Sequence, residues 1–186
     1  MKWVTRLFLL ASWICSRIPA TLNRLPYLKN KMAIEIERKY LLINEDWRQL
    51  VSKSTRMTQG YLCRSETKAI RVRVAANQAH INIKQSIDGI HRHEFEYDIP
   101  VKDAEEMLKQ TAEEGVIDKT RHLIIDDDLT WEIDEFHGSN AGLIVAEIEL
   151  PTADHPVPQY PWLGKEVSTD LKYFNSHLIS HPYKDW

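Results

Sequence analysis

The chain is short of the residues that mark several common kinds of protein. It has two cysteines in 186 residues, Cys15 and Cys63, with no CxxC spacing. That argues against a disulfide framework and a thiolate zinc site, and it fits a reducing compartment. Glycine occurs six times, and Gly60, Gly89 and Gly115 stand alone. No Walker-type loop is therefore present to cradle phosphates through its backbone. No apolar run is long enough to cross a membrane as a helix. Positive charge is also scarce beyond the first 31 residues. Six of the 24 Lys/Arg (Lys2, Arg6, Arg17, Arg24, Lys29 and Lys31) lie in that opening segment, which holds no acidic residue. Residues 32–186 then set 18 Lys/Arg against all 27 Asp/Glu, a formal charge of −9. An acidic body lacks the basic footprint of a broad nucleic-acid binder.

What is present is an ordinary globular composition, 43% hydrophobic and 27% charged, at single-domain length. Residues 1–31 read apart from the rest. Leu7–Ile14 is a short apolar run behind Lys2 and Arg6, the outline of a signal peptide or of a membrane-surface segment. Arg17 follows closely, however, and no clear small-residue cleavage site appears. The organised pattern starts at Ala33, so the preferred reading is an upstream translation start. Met32 is then the working initiator, 1–31 an extension, and 32–186 the domain.

Eight runs beyond that point alternate with period 2, the strand signature. They fall near 34–42, 57–63, 69–75, 79–86, 91–99, 116–125, 129–136 and 143–150. Turns are expected at Ile87–Ile90 and at Asp126–Asp128. Helices are expected at 46–53 and, between Pro100 and Gly115, at 101–114. A proline-rich connector runs from Pro151 to Pro161. A last helix is expected from the Ser168-Thr169-Asp170 cap cluster, with Leu171, Phe174 and Leu178 on one face. Mainly antiparallel strands with few helices predict a closed eight-stranded barrel, because closure removes exposed edges.

Each strand has one charged face. The sets are Glu35, Glu37 and Lys39; Arg71 and Arg73; Asn82 and Lys84; Arg92, Glu94, Glu96 and Asp98; Lys119 and Arg121; Glu132 and Asp134; Glu147 and Glu149. Half-buried antiparallel strands ordinarily turn such faces to solvent. Here nearly every such position carries a formal charge, and the charges are sorted by strand into carboxylate pairs and basic pairs. A carboxylate pair calls for a cation and a basic pair for an anion. Gathered around one interior, the carboxylates suit a hard divalent ion and the Lys/Arg suit phosphate oxygens. His91 and His93 fall on the face opposite Glu94 and read as solvated. Cys63 reads as a small strand residue.

Glu35-Ile36-Glu37-Arg38-Lys39 resembles the ExExK signature of the CYTH, or triphosphate tunnel metalloenzyme, superfamily. Arg71-Val72-Arg73, Lys84, Glu94-Phe95-Glu96, Lys119-Thr120-Arg121, Glu132-Ile133-Asp134 and Glu147-Ile148-Glu149 follow in the order that family has. The resemblance covers about 33–186 and is closest to short single-domain bacterial members. It implies a mainly β, α+β fold: an eight-stranded antiparallel tunnel with a few flanking helices and a C-terminal plug helix. It also implies hydrolysis of inorganic tripolyphosphate or a small organic triphosphate with Mg²⁺ or Mn²⁺. Glu35, Glu37, Glu132, Asp134, Glu147 and Glu149 would be metal ligands, with Glu35, Glu37 and Lys84 taking part in the chemistry. Lys39, Arg71, Arg73, Lys84, Lys119, Arg121 and Lys172 would hold phosphates. Lys172 belongs to an Asp170, Lys172, Tyr173, Asn175 pattern in which Arg is commoner at the second position. Other activities compatible with the resemblance are a class IV adenylate cyclase, a thiamine triphosphatase and a non-catalytic polyphosphate- or nucleotide-binding module. The expected setting is cytoplasmic, with a small triphosphate as partner, no nucleic acid and no stable membrane association. A homodimer is left open.

Overall fold

The computed structural model describes residues 33–88, 90–110 and 115–186. The 1–31 extension, Gly89 and the end of the helix expected at 101–114 lie outside the described residues. The eight expected strands are all present as β1 (Ala33–Leu42), β2 (Lys53–Arg64), β3 (Lys68–Ala75), β4 (Gln78–Ser86), β5 (His91–Asp98), β6 (Ile117–Asp126), β7 (Leu129–Phe136) and β8 (Ile144–Glu149). A ninth, β9 (Leu163–Glu166), was not expected. The order is β5-β4-β3-β2-β6-β7-β8-β1-β9, and β5 also pairs with β1, closing eight strands into an antiparallel barrel.

The closing strand is shared. β5 pairs with β1 only along Ala33–Ile36, and β8 covers its other side along Glu37–Leu41. Where β5 leaves off, β9 takes over the same edge, pairing Glu166 with Tyr40 and Leu163 with Leu42. The backbone hydrogen bond from Val167 to Lys39 extends that cover. The last stretch of β1 thereby keeps backbone partners on both edges.

Alternation divides this barrel in an inverted way, with charge inside and the hydrophobic core outside. On one flank Ile36, Tyr40, Ile124, Trp131, Ile133, Ala146 and Ile148 pack beneath Trp47, Leu150 and Trp162. Trp131 sits at the centre, its ring edge-on to Tyr40 at 5.8 Å and to Trp162 at 5.3 Å. The 151–161 connector is thus a covering layer, contributing Ala153, Val157 and Tyr160. On another flank α1 (Val101–Gln110) lays Ala104, Met107 and Leu108 over Val72, Val74, Ala79 and Ile81. Among the described residues no helix is long and apolar enough to cross a membrane.

The C-terminal segment departs from the single helix expected. Asp170 does cap, accepting from the Lys172 amide, but the helix breaks after one 3-10 turn at Leu171–Tyr173. Phe174 is extended there (φ −79°, ψ 134°), and α2 (Asn175–Leu178) follows. Leu171 is consequently 64% exposed, and Tyr173 and Leu178 are the buried residues. They join Ile117, Phe136, Leu143, Val145 and Val167 in an apolar cluster, with Leu41, Ile179 and Tyr183 packed against it. Leu41, Ile117, Phe136 and Val145 occupy inward-facing positions of their strands, so this cluster fills one end of the barrel. The segment near 46–53 is likewise shorter than expected, a 3-10 turn at Asp46–Leu50 anchored by Trp47.

Gly164 is where β9 meets β1 most closely. A Cβ there would lie 2.8 Å from the Leu41 carbonyl oxygen and 2.9 Å from Ile43. Gly164→Ala must push β9 away from β1, and a loss of about 1–3 kcal/mol is expected in urea unfolding, the range of overpacking substitutions. An unchanged unfolding midpoint would contradict this pairing.

Candidate active site

The inward faces of β1 and β3–β8 build one connected chain of charges. Lys39 Nζ lies between Glu37 (2.6 Å) and Glu147 (2.5 Å). Arg92 reaches the same Glu37 oxygen at 2.8 Å. Lys84 Nζ bridges Glu35 (3.0 Å) and Glu94 (2.9 Å). Asn82 Nδ2 donates to Glu94 (2.6 Å) and Glu96 (2.5 Å), and Arg73 pairs with Glu96 at 3.0 Å. In the other direction Arg121 donates to Asp134 through Nε (2.8 Å) and Nη2 (2.7 Å), to Glu147 at 3.2 Å, and also to Glu132. Lys119 donates to Asp134 and lies 3.5 Å from Asn175 Oδ1 of α2. Eleven of the thirteen residues singled out from the sequence are held in this network or at its edge: Glu35, Glu37, Lys39, Arg71, Arg73, Lys84, Lys119, Arg121, Glu132, Asp134 and Glu147.

The remaining two differ. Glu149 faces Glu37 directly across β1–β8 but is exposed and makes no ion pair among the described residues. Lys172 stands apart from the network: it is exposed, with its ammonium 5.0 Å from the Tyr173 ring centre and 4.5 Å from that of Trp186. Arg92 and Asn82 lie on the charged face read from the sequence, and the structure adds them to the linked set. Tyr61 and Gln59 of β2 also line the interior, and the sequence carried no signal for them because neither is charged.

Burial and pairing set the protonation states. Burial works against charge on Glu37, yet Lys39 and Arg92 hold its carboxyl down at about 2. Glu94 is held at about 2 against burial, chiefly by Lys84. Glu147 and Asp134 are also depressed despite burial, Glu147 by Lys39 and Arg121 and Asp134 by Arg121 and Lys119. Glu35 goes the other way. Burial, opposed by Lys84 and reinforced by Glu37, pushes it up to about 7. Burial draws Lys119, only 1% exposed, down to about 8 against the pull of Asp134.

The donor set suits a hard divalent cation. It consists of carboxylate oxygens only, and the register opposes like charges directly at Glu37/Glu149 and Glu132/Glu147. Among the described residues no three metal-ligating side chains converge as a finished cage. Most of the carboxylates are paired to Lys or Arg, so an incoming ion exchanges with those cations. Asp134 is the most committed, with its oxygens taken by Lys119 and Arg121.

The CYTH domain pattern matches residues 33–183. This chain belongs to the CYTH family. An inorganic triphosphatase of Acetivibrio thermocellus is 39% identical over 155 residues, 83% of this chain and 99% of the relative. An inorganic triphosphatase of Nitrosomonas europaea is 32% identical over 149 residues, 77% of this chain and 95% of the relative. A crystal structure of an inorganic triphosphatase superposes with a TM-score of 0.55 at 29% identity, over 80% of this chain and 95% of that one. CYTH triphosphatases are metal-dependent in general.

The shifted carboxyls predict how this CYTH domain responds to pH. Glu37 and Glu94 fall from an ordinary 4.5 to about 2 on folding. Their stabilisation is complete above about pH 4.5 and is lost as the pH falls towards 2. Glu35, raised from 4.5 to about 7, has the opposite sign and loses its contribution as pH rises across that interval. Unfolding free energy measured by urea titration is therefore expected to peak near about pH 5. Glu35→Gln should level the decline between about pH 5 and 7 while leaving the acid limb in place.

Proposed function

We propose that this chain hydrolyses inorganic tripolyphosphate inside the barrel with Mg²⁺ or Mn²⁺. The observation that carries this reading is the connected Lys/Arg–carboxylate network lining one interior, and relatives named inorganic triphosphatase, matched over 99% and 95% of their own length, support it.

In the free protein the interior is close to electrical balance. Lys39, Arg71, Arg73, Lys84, Arg92, Lys119 and Arg121 face Glu35, Glu37, Glu94, Glu96, Glu132, Asp134, Glu147 and Glu149. A bare polyanion gains little net attraction from such a lining. A triphosphate would enter instead by partner exchange: its phosphate oxygens would take the donors of Lys39, Arg71, Arg73, Lys84, Lys119 and Arg121, leaving the released carboxylates free to hold divalent cations.

Glu35, Glu37, Glu147 and Glu149, with Glu132 and Asp134 beside them, would hold the metal. The bound ion supplies Lewis-acid polarisation of phosphoryl oxygens and charge neutralisation. Glu37, kept ionised by Lys39 and Arg92, accepts a hydrogen bond from the attacking water and orients it. Lys84, poised between Glu35 and Glu94, turns its ammonium to the oxygen that leaves. Water adds at phosphorus, the bridging P–O bond breaks, and orthophosphate and pyrophosphate result. Phe174, whose ring lies 5.8 Å from Lys39 Nζ, and Asn175 close the interior behind the phosphates.

Purified full-length protein is expected to release phosphate from tripolyphosphate only when Mg²⁺ or Mn²⁺ is supplied, and EDTA should stop it. Glu37→Gln is expected to keep its circular-dichroism spectrum and lose more than about 100-fold in turnover, since even residues that merely support metal ligands cost about 10- to 100-fold. Full activity in a folded Glu37→Gln protein would overturn the metal assignment. Cyclic AMP from ATP, or tight triphosphate binding with no turnover, would overturn the reaction.

A further inference from the structure

The middle of one strand adds no charge to the lining. The inward residues there are Met57, Gln59 and Tyr61 of β2, as their register fixes: Gln59 lies opposite Arg73 on β3 and Ile117 on β6, and Tyr61 lies opposite Arg71. The alternate residue Gly60 pairs with Val72, which packs beneath α1 on the outside. Gln59 is fully buried, and neither its amide nitrogen nor its amide oxygen has a hydrogen-bond partner among the described residues. It is not alone. Arg71 Nε, Arg73 Nε and Asn82 Oδ1, on the two neighbouring strands, are likewise buried without partners. Four side chains on three adjacent strands thus leave donors and acceptors unmet on one patch of the inner wall.

Buried polar atoms are very rarely left unpaired, and exceptions call for an explanation in function or in an absent ligand. A packing role does not account for Gln59, because leucine would fill similar space without stranding two polar atoms. The unmet groups share a chemistry. The Gln59 amide and two guanidinium Nε groups are donors, so the patch calls for an anion rich in acceptors. Residues directly opposite across antiparallel strands hold their Cβ atoms about 4.5–5.5 Å apart, so one oxyanion can meet both Gln59 and Arg73. Ile117, the other neighbour of Gln59, belongs to the apolar cluster that fills the closed end of the barrel. The patch therefore adjoins the filled end of the barrel.

We infer that Gln59 is a substrate-binding residue for the innermost phosphoryl group of the triphosphate. Its amide N–H donates to that group beside Arg73 and Arg71, and its amide oxygen and Asn82 Oδ1 take a hydrogen from a protonated phosphoryl oxygen or an accompanying water. This rests on the triphosphatase reading above. It extends that reading by giving the uncharged middle of β2 a role, that of positioning one end of the substrate.

The test compares wild type, Gln59→Leu and Gln59→Glu at full length, measuring the melting temperature together with kcat and KM for tripolyphosphate with Mg²⁺. Gln59→Leu is expected to melt at or above the wild-type temperature, because it removes unpaired buried polar atoms. Its KM should rise about tenfold or more, as for a lost hydrogen bond to a charged group, with kcat within about twofold. Gln59→Glu sets a carboxylate against the phosphoryl group and should raise KM further. An unchanged KM in Gln59→Leu, whatever its melting temperature, overturns the assignment and leaves the triphosphatase reading intact. Wild-type protein that does not turn over tripolyphosphate removes that reading and this inference with it.

Discussion

Charge placed inside a barrel must be neutralised by other charge, and this requirement governs the rest of the structure. A carboxylate or ammonium taken from water loses several kcal/mol of solvation, and only well-placed partners offset that loss. The interior answers with a connected series of hydrogen bonds and ion pairs from Arg73 through Asn82, Lys84, Arg92, Lys39 and Arg121 to Lys119. No single pair is isolated, and no strand between β3 and β1 can slip by one residue without turning its charges into the outer apolar layer. The network therefore specifies register more than it supplies stability.

With the inside given over to charge, the hydrophobic core has to lie elsewhere. It forms on the outer surface of the wall, where Trp131, Trp162 and Tyr40 meet under the connector, and where α1 covers Val72 and Ala79. Elements that look like simple linkers in a conventional barrel become half of the core here. The same logic explains the closed end. Leu41, Ile117, Phe136 and Val145 continue the inward faces as apolar residues, and the C-terminal segment fills the space they leave. Charge runs along part of the interior and stops where the plug begins.

An interior already close to balance acts on ligands by exchange. In the proposed reaction guanidinium and ammonium groups would meet phosphate oxygens only as their carboxylates found other cations, so anion and metal binding would be linked through the same side chains. Gln59 and the unmet Arg71, Arg73 and Asn82 atoms are the part of the wall that internal pairing leaves unsatisfied.

How much of this was legible beforehand follows from what each residue signals. The period-2 runs, the sorted charges and the ExExK pattern are local features, and through them the sequence by itself determined the eight barrel strands, their inward faces and the family. Strand alternation is a property of neighbouring residues and survives without knowledge of partners. Other features have no local signature. β9 is four residues containing a glycine, and only the bare edge of β1 makes it a strand. The break at Phe174 sets Asn175 against Lys119, which a helical wheel drawn through Leu171 and Leu178 could not anticipate. Tyr61 and Gln59 carry no charge to mark them. The partner of each carboxylate, the exclusion of Lys172 from the network and the orphaned Gln59 amide depend on which strands stand side by side. Those were decided by the tertiary structure alone, because pairing across a closed sheet is a relation between residues far apart in the chain.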